Sequence, residues 1–351
     1  MTAPVLVTGG AGFIGSNLAD RLAGDGHDVL VYDALARTGV ERNLAWLRAR
    51  HGERIRFVHA DLRDDAALTE AAAGASAVFH FAAQVAVTTS LEDPREDHAI
   101  NVTGTLTLLE ALRRHAPQVP LIFASTNKVY GDLADLDFVL EGDAYRPVDP
   151  QVRAHGIGEA RPLDFHTPYG VSKGAADQYV LDYARSYGLK TCVFRMSCIY
   201  GQRQMGTEDQ GWVAHFLIRA LTGEPITLYG DGHQVRDVLD VRDAVAAYLA
   251  AWKRIDAVTG RAFNLGGGVD NAISLRVLLD HIATLTDRAP RVDFADWRAG
   301  DQRYFVADTR AAAAALDLPA RRDWRDGVAA LAQWLERERS AVPEDRVGVA
   351  A

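Results

Sequence analysis

Val5-Leu6-Val7-Thr8-Gly9-Gly10-Ala11-Gly12-Phe13-Ile14-Gly15 opens the chain, a strand-like run that flows into spaced glycines with a helical pattern directly behind them. Glycines so placed allow a tight turn and let the backbone approach a pyrophosphate, which then rests on the positive end of the helix. The context matters more than the glycines: the motif follows a strand and opens a helix. A second strand-like run ends in Asp33, eighteen residues beyond Gly15. A carboxylate there accepts both ribose hydroxyls and repels a 2′-phosphate, which favours NAD over NADP. Arg37 is the nearby cation that would soften this choice. The bland alternative, a turn made only for tight packing, leaves Asp33 without a purpose.

Outward from this turn, strands and helices alternate. Strand-like runs fall at Val5–Thr8, Val29–Tyr32, Arg56–His59, Ala77–Phe81, Leu121–Ser125 and Thr191–Arg195, with helical patterns such as Phe13–Leu22, Ala66–Ala72 and Ile100–Arg114 between them. This predicts an α/β fold: a doubly wound parallel sheet of the Rossmann type with a smaller C-terminal substrate lobe. Ligands of such sheets lie at the carboxyl ends of the strands, where Gly9, Asp33, Asp61, Ala82, Thr126 and Cys198 fall.

A second signal is Tyr169-Gly170-Val171-Ser172-Lys173. Four residues apart on a helix, the tyrosine and lysine share a face. To act as a base near neutral pH the phenol must be lowered by roughly three units, or about 4 kcal/mol. One cation at about 4 Å supplies that amount at an effective dielectric near 20. Lys173 is the expected cation, and an oxidised nicotinamide would be a second; the alternative is a solvated helix face.

At 351 residues the chain calls for a core plus an appended lobe. The predicted division is 1–201 for cofactor binding, with 236–262 returning to it, 202–235 and 263–339 as the substrate lobe, and 340–351 as a disordered tail. Segment 132–166, acidic and punctuated by prolines and glycines, is predicted to be a partly ordered flap or a surface excursion. Thirty-eight basic against 47 acidic residues give a charge of −9, with no basic block of the kind that binds nucleic acid or membranes. No apolar run reaches membrane-spanning length, and the first strand begins almost at Met1, so the expectation is a cytoplasmic protein. Cys192 and Cys198, on one predicted strand, have no metal-ligand spacing; no metal is predicted.

The glycine turn, Asp61-Leu62, His80-Phe81-Ala82-Ala83-Gln84, Thr126 and the Tyr169/Lys173 pair resemble the extended short-chain dehydrogenase/reductases that act on nucleotide sugars, over roughly residues 3 to 338. The resemblance implies NAD held by Gly9, Gly12, Phe13, Ile14, Gly15, Asp33, Asp61, Leu62, Ala82, Ala83, Gln84, Asn101, Tyr169 and Lys173. Nucleotide-sugar 4,6-dehydratases carry an Asp-Glu pair after the threonine, because elimination of water needs an acid and a base besides the tyrosine. Here Asn127 and Lys128 stand in those places. The run Ser125–Gly131 is similar to that of the CDP-tyvelose (CDP-paratose) 2-epimerases, as are Leu163–His166, Ser172–Tyr179, Tyr200–Gln204, Asp209–Val213, Gln234–Leu239 and Asp301–Arg303. Departures stand at Ala34, Met196, Cys198 and Met205–Glu208.

That likeness implies epimerisation of a nucleotide-diphosphate sugar at C2 by oxidation, turnover of the ketone and re-reduction. Tyr169 would be the base, Lys173 would lower its pKa, and Thr126 would bond the reacting oxygen. Arg203, Arg236 and Arg303 are diphosphate candidates, since guanidinium geometry suits phosphate. Gln210 and Trp212 are candidates for the sugar or base pocket, and Asn127 and Lys128 for sugar contacts. Relatives suggest a homodimer. A 4-epimerase and a non-catalytic NAD-binding regulator are the competing readings.

Overall fold

A computed structural model describes residues 3–298 and 300–340. Its centre is a seven-stranded, all-parallel sheet of β1 (Val5–Thr8), β2 (Val29–Asp33), β3 (Ile55–His59), β4 (Ala77–His80), β5 (Leu121–Thr126), β6 (Thr191–Met196) and β7 (Arg261–Leu265) in the order 7-6-5-4-1-2-3. Alternate side chains feed opposite faces, as the two-residue period of a strand demands. Val5, Val7, Val31, Phe79, Ile122 and Phe194 pack beneath helices Phe13–Gly24, Val40–His51 and Val241–Lys253. Leu6, Tyr32, Val78, Phe123 and Val193 meet helices Asp65–Ala73, Gly104–His115 and Thr167–Tyr187 on the other side. Burial on both faces explains why the central strands β1, β4 and β5 read as nearly continuous apolar runs. The sheet reverses between β1 and β4, so the crevice at their carboxyl ends is the switch point where such folds take ligands.

A second sheet forms around strand Val235–Asp240, which pairs with Cys198–Tyr200, Ala272–Ser274 and Tyr304–Phe305. Strands Ile226–Tyr229 and Val292–Ala295 pair separately, and helices Trp212–Thr222, Leu275–Thr286 and Trp324–Ser340 share a core. Here the expected division shifts. Strand Val235–Asp240 belongs to the second sheet, whereas the helix after it lies on the main sheet and Arg261–Leu265, including residues 263–265, forms its edge. The two cysteines lie on separate strands, with Ser197 bonding Asp237 between them. Segment 132–166 is more ordered than a flap. It builds a hairpin (Phe138–Glu141 with Ala144–Pro147) and a helix (Pro150–His155), and its Ile157 bridges to Ala307. Residues 341–351 of the predicted tail lie outside the described residues, while Ser340 ends a helix.

Candidate active site

The glycine turn is closed by backbone contact. Gly9 has a φ of +68°, and a Cβ there would come within 2.6 Å of Ala82 N, at the end of β4. A Cβ on Gly15 would collide with Gly9 O. Any larger residue would push strand, turn and helix apart, so the close approach that a pyrophosphate needs exists only with glycine. Gly12 caps the helix that carries Phe13, Ile14 and Gly15 in its first turn, a helix start with no acidic residue to compete for its N–H groups. Asp33 ends β2 and accepts from Ala11 N at 3.0 Å and Leu35 N at 2.8 Å. Burial pushes its carboxyl up, while N–H donors from Leu35, Ala11 and Gly12 pull it down. Asp61 lies beyond β3 with its carboxylate held by Arg63 at 2.8 Å, and Leu62 lies under Gly104. Ala82, Ala83 and Gln84 continue from β4, and Gln84 N donates to Asn101 Oδ1 at 2.9 Å. Gln84 Oε1 and the hydroxyl of Ser125 are buried without a partner among the described residues. A cradle without room for side chains, a carboxylate at the end of β2 and orphaned polar atoms at the strand ends fit a dinucleotide.

Helix Thr167–Tyr187 presents Tyr169 and Lys173 beside this crevice. Pro168 in its first turn and Gly188 with φ of +71° delimit it, in keeping with the helix-start and helix-stop roles of these residues. Gly174 lets it lie directly on Phe165, whose ring a Cβ would strike. Lys173 Nζ sits 4.3 Å from the centre of the Phe123 ring. Burial lowers Lys173 to about 7 against the pull of Asp177 and Asp97. Burial also raises Tyr169 to about 12, a hydrogen bond with Thr126 drawing it down and the charge of Asp97 adding to the rise. A dry pocket penalises both charged forms, so burial pushes the phenol up and the ammonium down.

Asp97 is not marked by the sequence, where a charged residue in a short helix reads as solvent-facing. It is 1% exposed, and its Oδ1 accepts from Asn101 Nδ2 at 3.1 Å. Asn101 sits in a π-helical turn, Ala99–Thr103, and also reaches Ser172 Oγ at 3.0 Å, tying the cofactor crevice to the helix of Tyr169. The available signal was the Asp97–Asn101 spacing of four just before an apolar helix.

Across the crevice lie the substrate candidates. Asn127 donates to Gln302 Oε1 at 3.3 Å, and Lys128 Nζ donates to Gly300 O at 3.0 Å and lies 3.9 Å from Asp301. Burial brings Lys128 down to about 8, Asp301 opposing. Arg236 is buried and bonds Asp301 at 2.6 Å. Burial raises the thiol of Cys198, with Arg236 and a hydrogen bond to Trp212 pulling the other way. Asn127, through Gln302, and Lys128, Arg236 and Asp301 thus form one linked group. Gln210 is in the preceding turn, exchanging backbone bonds with Thr207. Arg303 is exposed, its guanidinium 5.6 Å from the centre of the Tyr145 ring and outside that group. Arg203 is the clear correction among the diphosphate candidates. Its guanidinium stacks 4.1 Å from the Trp46 ring, lies near Trp334 and pairs with Glu338 at 3.5 Å, so it clasps helix Val40–His51 to the last helix. Asp132, Asp164 and His166 bring ligand atoms within 4.8 Å of one another beside the turn after β5, but half-exposed and bonded through His166.

The model of the NAD dependent epimerase/dehydratase family matches residues 5–266. The chain is 42% identical over 337 residues to a CDP-paratose 2-epimerase of Salmonella typhi, covering 94% of this chain and 98% of that one. Among solved structures, a Thermus thermophilus UDP-glucose 4-epimerase complexed with NAD superposes with a TM-score of 0.80 at 33% identity, covering 97% and 100% of the two chains. A Thermotoga maritima UDP-glucose 4-epimerase with UDP-glucose gives 0.81 at 29% identity over 96% and 99%. With its fold, its glycine cradle and its tyrosine–lysine helix in place, the chain belongs to the NAD dependent epimerase/dehydratase family.

Proposed function

We propose that the protein inverts C2 of a nucleotide-diphosphate sugar, a CDP-hexose first among the candidates, with NAD as a bound and regenerated cofactor. The observation that carries this reading is the 42% identity to a CDP-paratose 2-epimerase across almost the whole of both chains. The amide and amine at Asn127 and Lys128 agree with it, since neither position supplies a carboxylate for eliminating water.

Bound NAD supplies a hydride acceptor with a positive ring, and later returns the hydride. The polypeptide does the rest. Tyr169 takes the proton of the sugar hydroxyl and gives it back after the ketone has turned its other face. Thr126, whose hydroxyl eases the ionisation of Tyr169, steadies the phenol at the reacting oxygen. Lys173 supplies positive charge one helical turn away. Lys128 and Arg236, sharing Asp301, leave one positive charge in excess among the three, which suits an anionic nucleotide sugar.

Proton NMR in D2O of the purified protein with CDP-, UDP-, dTDP- and GDP-hexoses, no cofactor added, tests the reading. A C2 epimer without deuterium uptake is expected. Inversion at C4 would replace it with the second reading, which the match to 4-epimerase structures favours. No turnover in NAD-loaded protein with any sugar would reject both.

A further inference from the structure

We propose that Asp97 is a positioning residue of the reaction, the counter-charge that keeps Lys173 an ammonium and so sets the pH range in which Tyr169 and Lys173 work. The inference rests on the roles proposed above for those two residues. It starts from an unmatched atom: Asp97 Oδ2 is buried and has no hydrogen-bond partner among the described residues. A buried carboxylate oxygen without a donor is costly, and such groups are kept where a nearby charge compensates them.

Among the described residues, the other ionisable groups near this helix have partners of their own. Asp177, one turn further along the same helix, also favours the Lys173 ammonium, but it is fully buried and shared with Arg195 of β6, which it grips through two bonds of 2.9 and 3.0 Å. Tyr130, after β5, donates to Asn264 at 2.8 Å and accepts from Arg195 at 3.2 Å. Lys128 leans on Asp301. His80 of β4 is bonded on both nitrogens, to Thr8 at 2.6 Å and Thr105 at 3.2 Å, and burial together with the charge of Lys173 lowers it to about 3, so it stays neutral. Glu110, on helix Gly104–His115, pairs with Arg113 and Arg114. Glu92 is exposed, and His98 follows Asp97 at the end of its own helix. Asp97 is the carboxylate that Asn101 ties to Ser172, next to Lys173 on its helix, and that keeps one oxygen without a partner among the described residues. Asn101 fixes it through Oδ1, and Asn101 itself bonds Gln84 O and Ser172 Oγ, each at 3.0 Å. Burial raises the Asp97 carboxyl, while Ser172 and Lys173 draw it down.

The charge acts on both partners in one direction. A negative charge at Asp97 favours the ammonium of Lys173 and opposes the phenolate of Tyr169. Removing it therefore moves both titrations to lower pH, and the activity window moves with them. Loss of packing alone would lower the window without moving it.

The chain has only four lysines, Lys128, Lys173, Lys190 and Lys253, so side-chain NMR of lysine-labelled NAD-loaded protein follows each one through a pH titration. In Asp97→Asn the Lys173 midpoint is expected to fall by about one unit or more, with Lys128 unmoved as the internal reference. Both limbs of the pH–rate profile should follow. Ser172→Ala, which alters the same hydrogen-bond network without changing charge, is expected to leave the Lys173 midpoint in place. An unmoved Lys173 midpoint in Asp97→Asn, or an equal fall in Ser172→Ala, overturns the proposal. If Asp97→Asn does not fold, Asp97→Glu decides: the retained charge should hold the midpoint at or above that of the parent, and a fall overturns the idea. The lysine titration needs no turnover, so a failure of the epimerase reading shows in the substrate panel and not here.

Discussion

Thr126→Val removes one hydroxyl, at nearly constant volume, from the group that lowers Tyr169. With the phenol pushed up to about 12 in the polypeptide, the phenolate at pH 8 would be scarce, a deficit of about 5 kcal/mol. A hydrogen bond to a charged group contributes about 1.5–3 kcal/mol, or roughly one to two pH units. Tyr169 works deprotonated, so losing a donor that favours the phenolate moves the acid limb of kcat to higher pH. On that limb kcat should fall about tenfold to 150-fold, and the deficit should shrink as pH rises. Thr126→Ser should recover most of it. The variant also loses the side-chain cap on Lys128 N, at 3.2 Å, which costs about 1 kcal/mol of stability. The assay is the pH dependence of kcat under saturating sugar, with melting followed alongside. A uniform fall at every pH, with the limb in its original place, would refute the assignment of Thr126 as the group that tunes the phenol. The shift is opposite in sign to that expected for Asp97→Asn.

Asp177→Asn strands the Arg195 guanidinium, 6% exposed, without its carboxylate, and should cost about 3–5 kcal/mol in denaturant melts; a loss below 1 kcal/mol would show that water reaches the site. Gly15→Ala drives a methyl into Gly9 O and should yield folded protein that purifies without NAD, read from its absorbance at 260 nm against 280 nm. Lys128→Gln removes a charged donor beside Asp301 and should raise KM about tenfold or more with kcat little changed; a fall in kcat alone would move Lys128 from binding to chemistry.

The seventh strand of the main sheet, Arg261–Leu265, was not legible, since it opens on an exposed arginine and carries Asn264; the other six were, the central ones because burial on both faces makes them apolar runs. The glycines of the cofactor turn were legible for a similar reason, since backbone contact leaves no other residue possible. Arg203 was not. Its direction depends on Trp46 and Trp334, far apart in the chain, which meet only after folding. The ordering of 132–166 was hidden too, because what it packs against, Tyr304–Val306, comes about 150 residues later. Asp97 shows the limit most directly: a carboxylate among Arg95, Glu96 and His98 looks like part of a solvated run, and only the docking of its helix against Asn101 and Ser172 takes it out of water.

The edge strand β7 has a consequence for how the protein is made. It pairs with β6, yet about 65 residues separate Met196 from Arg261. At the usual rates of synthesis, 5–20 residues per second, the ribosome takes about 3–13 s to deliver it. For that interval the nascent sheet ends in Thr191–Met196, an apolar row of unpaired backbone groups of the kind that seeds association. Expression should therefore respond to temperature and to chaperone supply more strongly than the finished fold would suggest. A chain cut before Arg261 should be found in inclusion bodies even though six of its seven central strands are complete.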